Sequence, residues 1–281
     1  MDKARQKQLA EAFRAMHRTP PLLLLPNAWD PMSARVFEAE GFKAVATTSG
    51  GVAWALGYPD GEKAPWSEVV AATERIVRAV RVPVTADIEA GYADSLDQLA
   101  QHIDDIIRAG AVGINLEDGT ADHDNPIRSV DDAAARIRTA RERANAAGIP
   151  LVINARVDVY QKHVGEETTR FAETVRRAKA YLAAGADCVF PIGLSDPNTI
   201  GELVAAIKAP VNIVGKSGMP PAATFEKLGV ARISTASGPS LAVFGAIRNI
   251  GRALYRDRGF DVLATDATRA DAQKLFAARP E

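Results

Sequence analysis

The chain has 281 residues, 47% of them hydrophobic and 25% charged, enough for a large core and unlike the composition of a disordered segment. A formal charge of -1 gives no electrostatic reason to expect nucleic acid or an anionic membrane as partner. Cys188 is the only cysteine, which excludes a disulfide within the chain and a structural zinc–thiolate cluster.

Residues 2–16 alternate charged and apolar residues with helical spacing and lack the apolar run of a signal peptide. No stretch approaches the ~20 apolar residues of a transmembrane helix, so the expected setting is reducing and cytoplasmic, without membrane association. Short, nearly all-apolar runs then alternate with amphipathic stretches. Strands are expected at 22–26, 44–48, 82–87, 112–116, 151–155, 188–191, 211–214 and 232–235. Ser33, Ser67 (followed by Glu68), Ser95 and Ser129 are the expected helix starts. Gly41, Gly110, Gly148 and Gly185 stand where helices should stop before the next strand.

Eight β/α units in this length favour an α/β fold of one kind, a single (β/α)₈ TIM barrel over 1–281. Additional terminal helices are expected at 2–16 and 265–278. The competing doubly wound sheet needs a Gly-rich phosphate turn after the first strand, and none is present.

Chemistry in such a barrel sits where strands run out into loops. Those positions read PNAWD with Asp30, TTSGG with Ser49, Gly50 and Gly51, ADIEAGY with Asp87 and Glu89, NLED with Glu117 and Asp118, and NARVD with Arg156 and Asp158; Asn212 lies on the seventh strand. Asp87 and Glu89 are two apart, so on an extended strand end both face the same way, and Glu117 is one strand over. Three carboxylates without as many cations would repel unless a metal neutralised them, and oxygen-only ligation suits Mg²⁺, with Mn²⁺ as substitute. Arg156 has two readings: a bidentate clamp for a substrate carboxylate or phosphonate, or a counter-ion for Glu117. The Ser49–Gly50–Gly51 turn either presents N–H groups to an anion or is a plain tight turn. Asp118 and Asp158 fit an ordinary cap or loop role equally well.

In order and spacing, PNAWDPMSARVFEAEGF, TTSGGVAWALGYPD, VPVTADIEAGYAD, AGAVGINLEDG, INARVD and VNIVGKSG make the chain resemble the isocitrate lyase/phosphoenolpyruvate mutase superfamily. The resemblance implies a (β/α)₈ barrel, a homo-oligomer (tetramer or dimer) with C-terminal helices exchanged between subunits, and Mg²⁺-dependent chemistry on small 2-oxo or 2-hydroxy acids through an enolate. By position it implies Asp87 as direct metal ligand, Glu89 and Glu117 as holders of the ion's waters, and Asp60 joining through water. It implies Ser49 and Gly50, with Gly51 beside them, as donors to the substrate carboxylate, which Arg156 faces, and Asn212 as the seventh-strand asparagine.

The departures bear on the reaction. After Glu117 the chain reads EDGTADHDNPIRS, without the cysteine that is the acid/base of the lyases, and Cys188 lies on a different strand. Asn125 falls where mutases carry a gating-loop asparagine, but the lysine pattern of that loop is absent. His123 is the one histidine in the loop, readable as a general acid or as a solvated residue. Ile192 stands where lyases have glutamate and mutases histidine. Trp54, Tyr58 and Tyr92 are read as selectivity or packing residues. The expected function is a Mg²⁺-dependent lyase that cleaves a C–C bond of a small 2-hydroxy or 2-oxo di- or tricarboxylate. The alternatives are phosphonomutase or phosphonopyruvate hydrolase chemistry and a non-catalytic 2-oxo-acid binder.

Overall fold

The structure is a computed structural model and describes residues 1–277. Residue 278, where the last helix was expected to end, and the final residues of the 1–281 barrel lie outside the described residues.

The strands are β1 (Leu23–Leu25), β2 (Asn27–Ala28), β3 (Val45–Thr47), β4 (Val84–Asp87), β5 (Gly113–Glu117), β6 (Val152–Val157), β7 (Cys188–Pro191), β8 (Asn212–Val214) and β9 (Arg232–Ser234). All pairings are parallel, in the orders β2-β3-β4-β5-β6-β7 and β1-β9-β8. β1 and β2 are two halves of one run interrupted at Pro26, whose nitrogen has no hydrogen to donate. A parallel bridge between Val189 and Val211 joins β7 to β8. These two links close the sheets into one ring of eight strands, and every expected strand falls on an observed one.

The helices are α1 (Lys3–Met16), α2 (Pro31–Ala39), α3 (Ser49–Leu56), α4 (Trp66–Ala79), α5 (Leu96–Arg108), α6 (Val130–Ala147), α7 (Glu167–Ala183), α8 (Pro197–Ile207), α9 (Ala222–Lys227), α10 (Gly238–Arg252) and α11 (Arg269–Ala277). Among the described residues no helix is long and apolar enough to cross a membrane. Ser95 and Ser129 cap α5 and α6 as expected, their side chains accepting from Gln98 N and Asp132 N. Two starts are corrected. Asp30 caps α2, its carboxylate accepting from Ser33 N while the Ser33 hydroxyl reaches back, so the serine is the third residue of a capping box with Pro31 in the first turn. α4 begins at Trp66 behind Pro65 with no side-chain cap, one residue ahead of Ser67. The expected stops hold: Gly41, Gly110, Gly148 and Gly185 all have positive φ, which costs other residues a Cβ clash.

A further correction concerns the strands themselves. They do not read as uniformly apolar but alternate. Ala86, Ile114, Leu116, Ile153, Ala155, Val157, Ile213 and Ile233 belong to the principal apolar core. The residues between them, Thr85, Asp87, Asn115, Glu117, Asn154, Arg156, Asp158, Asn212 and Arg232, are polar, and hydrogen bonds from Asn115 to Asp87, from Asn154 to Asn115 and from Arg232 to Asn115 run between strands inside the barrel. With a side-chain period of two, one face feeds the helix-packed core and the other the barrel lumen.

α1 covers the N-terminal strand ends: Gln6 Nε2 donates to the carbonyls of Ile107 and Ala111, and a Cβ on Gly113 would stand 2.9 Å from the Phe13 ring. His17, which caps α1, is buried edge-on against Phe13 with its Nδ1 2.8 Å from the Phe13 carbonyl oxygen. Burial, with Arg232 adding repulsion, pushes its pKa down to about 3. The native chain therefore stays neutral here while the unfolded chain takes up a proton below its usual pKa of about 6.5. The resulting stability is present above pH 6.5 and is lost as pH falls toward 3. We expect His17→Phe to be less acid-sensitive than wild type, the difference reaching about 3 kcal/mol at pH 4, read as urea midpoints at pH 7 and 4. Equal pH slopes for the two proteins would refute it.

Candidate active site

The polar strand ends converge on the C-terminal side of the ring. Arg156, on β6, is in register with Glu117 on β5. Its Nη1 lies 2.6 Å from Glu117 Oε2, and its Nε and Nη2 donate to Asp158 at 2.6 and 3.1 Å. The Nη1–H is not well aimed at Glu117, whose Oε2 is buried without a directed hydrogen bond. Gly119 makes room for this triple: a Cβ there would stand 2.5 Å from Asp158 Oδ2 and 3.1 Å from Glu117 Oε1. Burial raises the pKa of Glu117; Arg156 opposes that, and Asp158, Asp87 and Glu89 add to it. Burial works against the charge on Arg156, but Glu117 and Asp158 outweigh it and the guanidinium stays cationic. Arg156 thus takes the counter-ion position for Glu117, and the carboxylates at this mouth still outnumber the cations. Asp158 also joins the group, fully buried, where a cap or loop role had been equally open. Asp118 is structural, buried against Arg177 at 2.9 Å and accepting from Tyr181 at 2.6 Å.

Asp87 ends β4. Its Oδ2 accepts from Ser49 N at 3.1 Å, and its Oδ1 has only a long 3.5 Å contact from Asn115 Nδ2. Glu89 is turned elsewhere, accepting from Glu62 N at 3.1 Å with both oxygens and from the Tyr92 hydroxyl at 2.8 Å. Burial, then Asp87, pushes its pKa up to about 7 despite those donors. Glu62 Oε1 in turn accepts from Tyr92 N at 2.6 Å. Glu62, Glu89 and Tyr92 all have positive φ, between 52° and 58°, so three non-glycine residues in strained backbone meet at one knot. This knot ties the loop carrying Asp60 to the end of β4.

The TTSGG segment is not a turn. It enters α3, whose first turn holds Ser49, Gly50 and Gly51 with their N–H groups free of intrahelical partners. Thr48, at the N-cap, gives no side-chain cap; its hydroxyl meets Ser237 at 2.8 Å, at the head of α10. A Cβ on Gly50 would lie 3.0 Å from Asp60 Oδ2 and 3.1 Å from Ser237 Oγ, so Asp60 does reach this mouth. Trp54 packs beside Gly50, while the Tyr58 hydroxyl is held by Glu68 at 3.0 Å.

Other expected residues stand apart. Asn212 opens β8, fully buried, donating to Ser234 at 3.1 Å, so it lies at the strand's entry and not its outlet. His123 and Asn125 are exposed in the hairpin loop after Gly119, and Asn125 donates to Asp122 at 3.0 Å. Cys188 is fully buried, its thiol pushed up to about 12 by burial, which suits no acid/base role. Glu62 and Ser237 are site residues that sequence reading did not single out, and neither had a signal, since each arrives from a different loop; Thr48 and Asp158 are offered by the sequence only as strand-end residues.

The donor set is hard oxygen, which fits Mg²⁺ or Mn²⁺. Among the described residues no three His, Cys, Asp or Glu side chains form a group able to grip an ion together. Arg156 occupies Glu117, and Glu62 with Tyr92 occupies Glu89. Asp87 is left as the carboxylate able to ligate directly, with Glu89 and Glu117 able to hold the waters that Mg²⁺ keeps.

A family model described as phosphoenolpyruvate phosphomutase matches residues 13–255. An uncharacterised protein of Mycobacterium tuberculosis (strain H37Rv) is 36% identical over 245 residues, covering 86% of this chain and 88% of its own. An oxaloacetate decarboxylase of Ectopseudomonas mendocina is 29% identical over 285 residues, covering 95% of this chain and 92% of its own. A crystal structure from Burkholderia cenocepacia J2315, provisionally described as a phosphonomutase, superposes with a TM-score of 0.82 at 42% identity, covering 87% of this chain and 99% of its own.

Packing at the head of α3 is tightest at Gly51, where a Cβ would stand 2.6 Å from Thr48 Cγ2 and 2.8 Å from Trp29 Cβ. Gly51→Ala should lower stability by about 1–3 kcal/mol in urea denaturation. Gly238→Ala, whose Cβ meets nothing within 4 Å, serves as control and should stay within about 0.5 kcal/mol of wild type. Equal midpoints for the two variants would contradict the geometry.

Proposed function

Because the chain belongs to the isocitrate lyase/phosphoenolpyruvate mutase superfamily, we propose that it is a Mg²⁺-dependent lyase that breaks a C–C bond in a small 2-hydroxy or 2-oxo di- or tricarboxylate and yields a 2-oxo acid. Decarboxylation of an oxaloacetate-like acid is the smallest version of that reaction. The observation that carries the reading is the opposition of two charge fields at one barrel mouth: Asp87, with Glu89 and Glu117 near it, accepts from Ser49 N–H at the head of α3, and the Gly50 and Gly51 N–H groups beside it have no partner within the helix. A bound Mg²⁺ supplies Lewis-acid stabilisation of charge that develops on the 2-oxo oxygen.

The chain's own residues do the rest. The N–H groups of Gly50 and Gly51 and the Ser49 hydroxyl hold the substrate carboxylate at a helix N-terminus, where partial positive charge is already fixed. Arg156 keeps Glu117 and Asp158 together and presents a guanidinium to the same space. Burial of these groups in a low-dielectric mouth strengthens each of those contacts over its value in water. Residues 1–281 act in this reading as one barrel domain.

A second reading, P–C bond chemistry, is favoured by the description of the matching family model and of the 42% identical structure. The experiment is a Mg²⁺-dependent screen for 2-oxo acid release from alkylmalates, isocitrate, 2-methylisocitrate, oxaloacetate and phosphonopyruvate, with ³¹P NMR on the last. Product from a carbon acid, abolished by EDTA and reduced at least ~100-fold by Glu117→Gln and by Arg156→Ala, is the expected result. Turnover of phosphonopyruvate alone would replace the lyase reading. Metal-dependent binding without any product would make the protein a 2-oxo-acid binder.

We also infer a homo-oligomer. Leu241, Phe244 and Ile247 on α10 are 52, 59 and 63% exposed along one stripe, with Tyr255 and Phe260 exposed beyond it. Arg35 donates to the Leu275 carbonyl, holding α11 on α2. Sedimentation velocity should find wild type as a dimer or tetramer and Phe244→Asp shifted to smaller species; a monomeric wild type would end the inference.

A further inference from the structure

Below the mouth the barrel holds a positive charge that the proposed reaction does not use. Arg232, the first residue of β9, is fully buried. Its Nη2 donates to Asn115 Oδ1 at 3.3 Å, while its Nε and Nη1 have no protein partner among the described residues. Burial pushes its pKa down to about 10 against the pull of Cys188 and Asp87, so the group is cationic at neutral pH. A guanidinium kept dry with two idle donors is a cost to the fold. Asn115 connects it to the site.

Asn115 sits on β5 in register with Asp87 on β4 and Asn154 on β6. Its Oδ1 accepts from Asn154 Nδ2 at 2.7 Å and from Arg232 Nη2 at 3.3 Å. Arg232 excludes the flipped amide, because the flip would set an NH₂ group against a guanidinium that cannot accept, whereas Asn154, whose own Oδ1 has no partner, could turn with it. The Asn115 NH₂ must then face Asp87 Oδ1, 3.5 Å away. At that distance it steers the carboxylate without consuming the lone pairs a cation would use. Asp87 Oδ2 is meanwhile held by Ser49 N–H at 3.1 Å, so one oxygen is anchored and the other faces the Asn115 amide.

We propose that Arg232 is a positioning residue for a divalent-metal site: by fixing the Asn115 amide it sets the orientation of the Asp87 carboxylate toward the ion. The inference rests on the reading of Asp87 as the direct metal ligand and extends it to a residue one layer deeper in the barrel. Apolar replacement of Arg232 removes a buried charge and leaves the Asn115 and Asn154 amides free to turn together, so metal affinity is expected to fall even where the fold gains stability.

The test is Mn²⁺ binding to the full chain, titrated by EPR without substrate, alongside thermal midpoints. Wild type, Arg232→Met, Asn115→Leu and the double variant are compared. The expected result is a loss of about 10- to 100-fold in Mn²⁺ affinity for each single variant while it is folded, with the thermal midpoint unchanged or raised in Arg232→Met and lowered in Asn115→Leu, which takes away the one acceptor of Arg232. The double variant should be no weaker than the worse single one, because both act through one amide. Wild-type affinity in either folded single variant, or additive losses in the double, overturns the proposal. So does an affinity loss that merely tracks a loss of fold. If Arg232→Met does not fold, Asn115→Leu alone decides by the same criterion. A wild type that binds no Mn²⁺ overturns the metal reading first, and with it this inference, so the two failures are told apart by the first titration.

Discussion

A closed ring of eight strands has an interior that bulk water does not enter from the side, so a polar side chain pointing inward must find its partner there or at the mouth. That constraint organises this molecule. Thr85, Asp87, Asn115, Glu117, Asn154, Arg156, Asp158, Asn212 and Arg232 alternate with apolar residues that belong largely to the outer core, and most bond to one another across strands. Burying charge without a partner is expensive, which is why Arg156 lies between Glu117 and Asp158 and why Arg177 and Tyr181 hold Asp118.

The site grows out of the same arrangement. Where the strands end, the inward-facing residues emerge into a space bounded by the head of α3 and the head of α10. Thr48 and Ser237 join the two heads through their hydroxyls, and neither side chain caps its own helix. Ser49 N–H meets Asp87, and the Gly50 and Gly51 N–H groups stay free of intrahelical partners on one side of a pocket whose other side is carboxylate. Such an opposition suits a ligand with an anionic end and a cation-seeking end, which a 2-oxo acid with a divalent metal provides. The strain stored at Glu62, Glu89 and Tyr92 belongs to the same design, because it holds the Asp60 loop against β4.

Much of this was legible in the chain. Strand runs of four to six residues between glycine stops and amphipathic stretches are a strong local signal, and all eight fell where expected. The carboxylates at strand outlets were legible for the same reason, since a side chain's position on its strand follows from counting. The alternation within VTADIE, GINLE and INARVD was also there to read, and it would have drawn Asn115 into the lumen beside the strand-end Asn154 and Asp158. Caps were legible where the serine stood alone before its helix, as at Ser95 and Ser129. They misled where an earlier aspartate or proline started the helix first, as before Ser33 and Ser67.

Sequence by itself thus determined the barrel, its strand ends and the residue types offered there, because hydrophobic period and turn chemistry act over neighbouring residues. Only the tertiary structure decided which of those residues meet. Arg156 bound to both Glu117 and Asp158, Glu89 drawn away by Glu62 and Tyr92, and Arg232 reaching Asn115 are contacts between residues 2 to 117 positions apart. The longer of them depend on ring closure and on loop paths, and the ring closes through the continuous run of β1 and β2 and through the Val189–Val211 bridge joining the two sheets. No local pattern encodes that, since the energy that selects those contacts is the cost of leaving each buried charge alone.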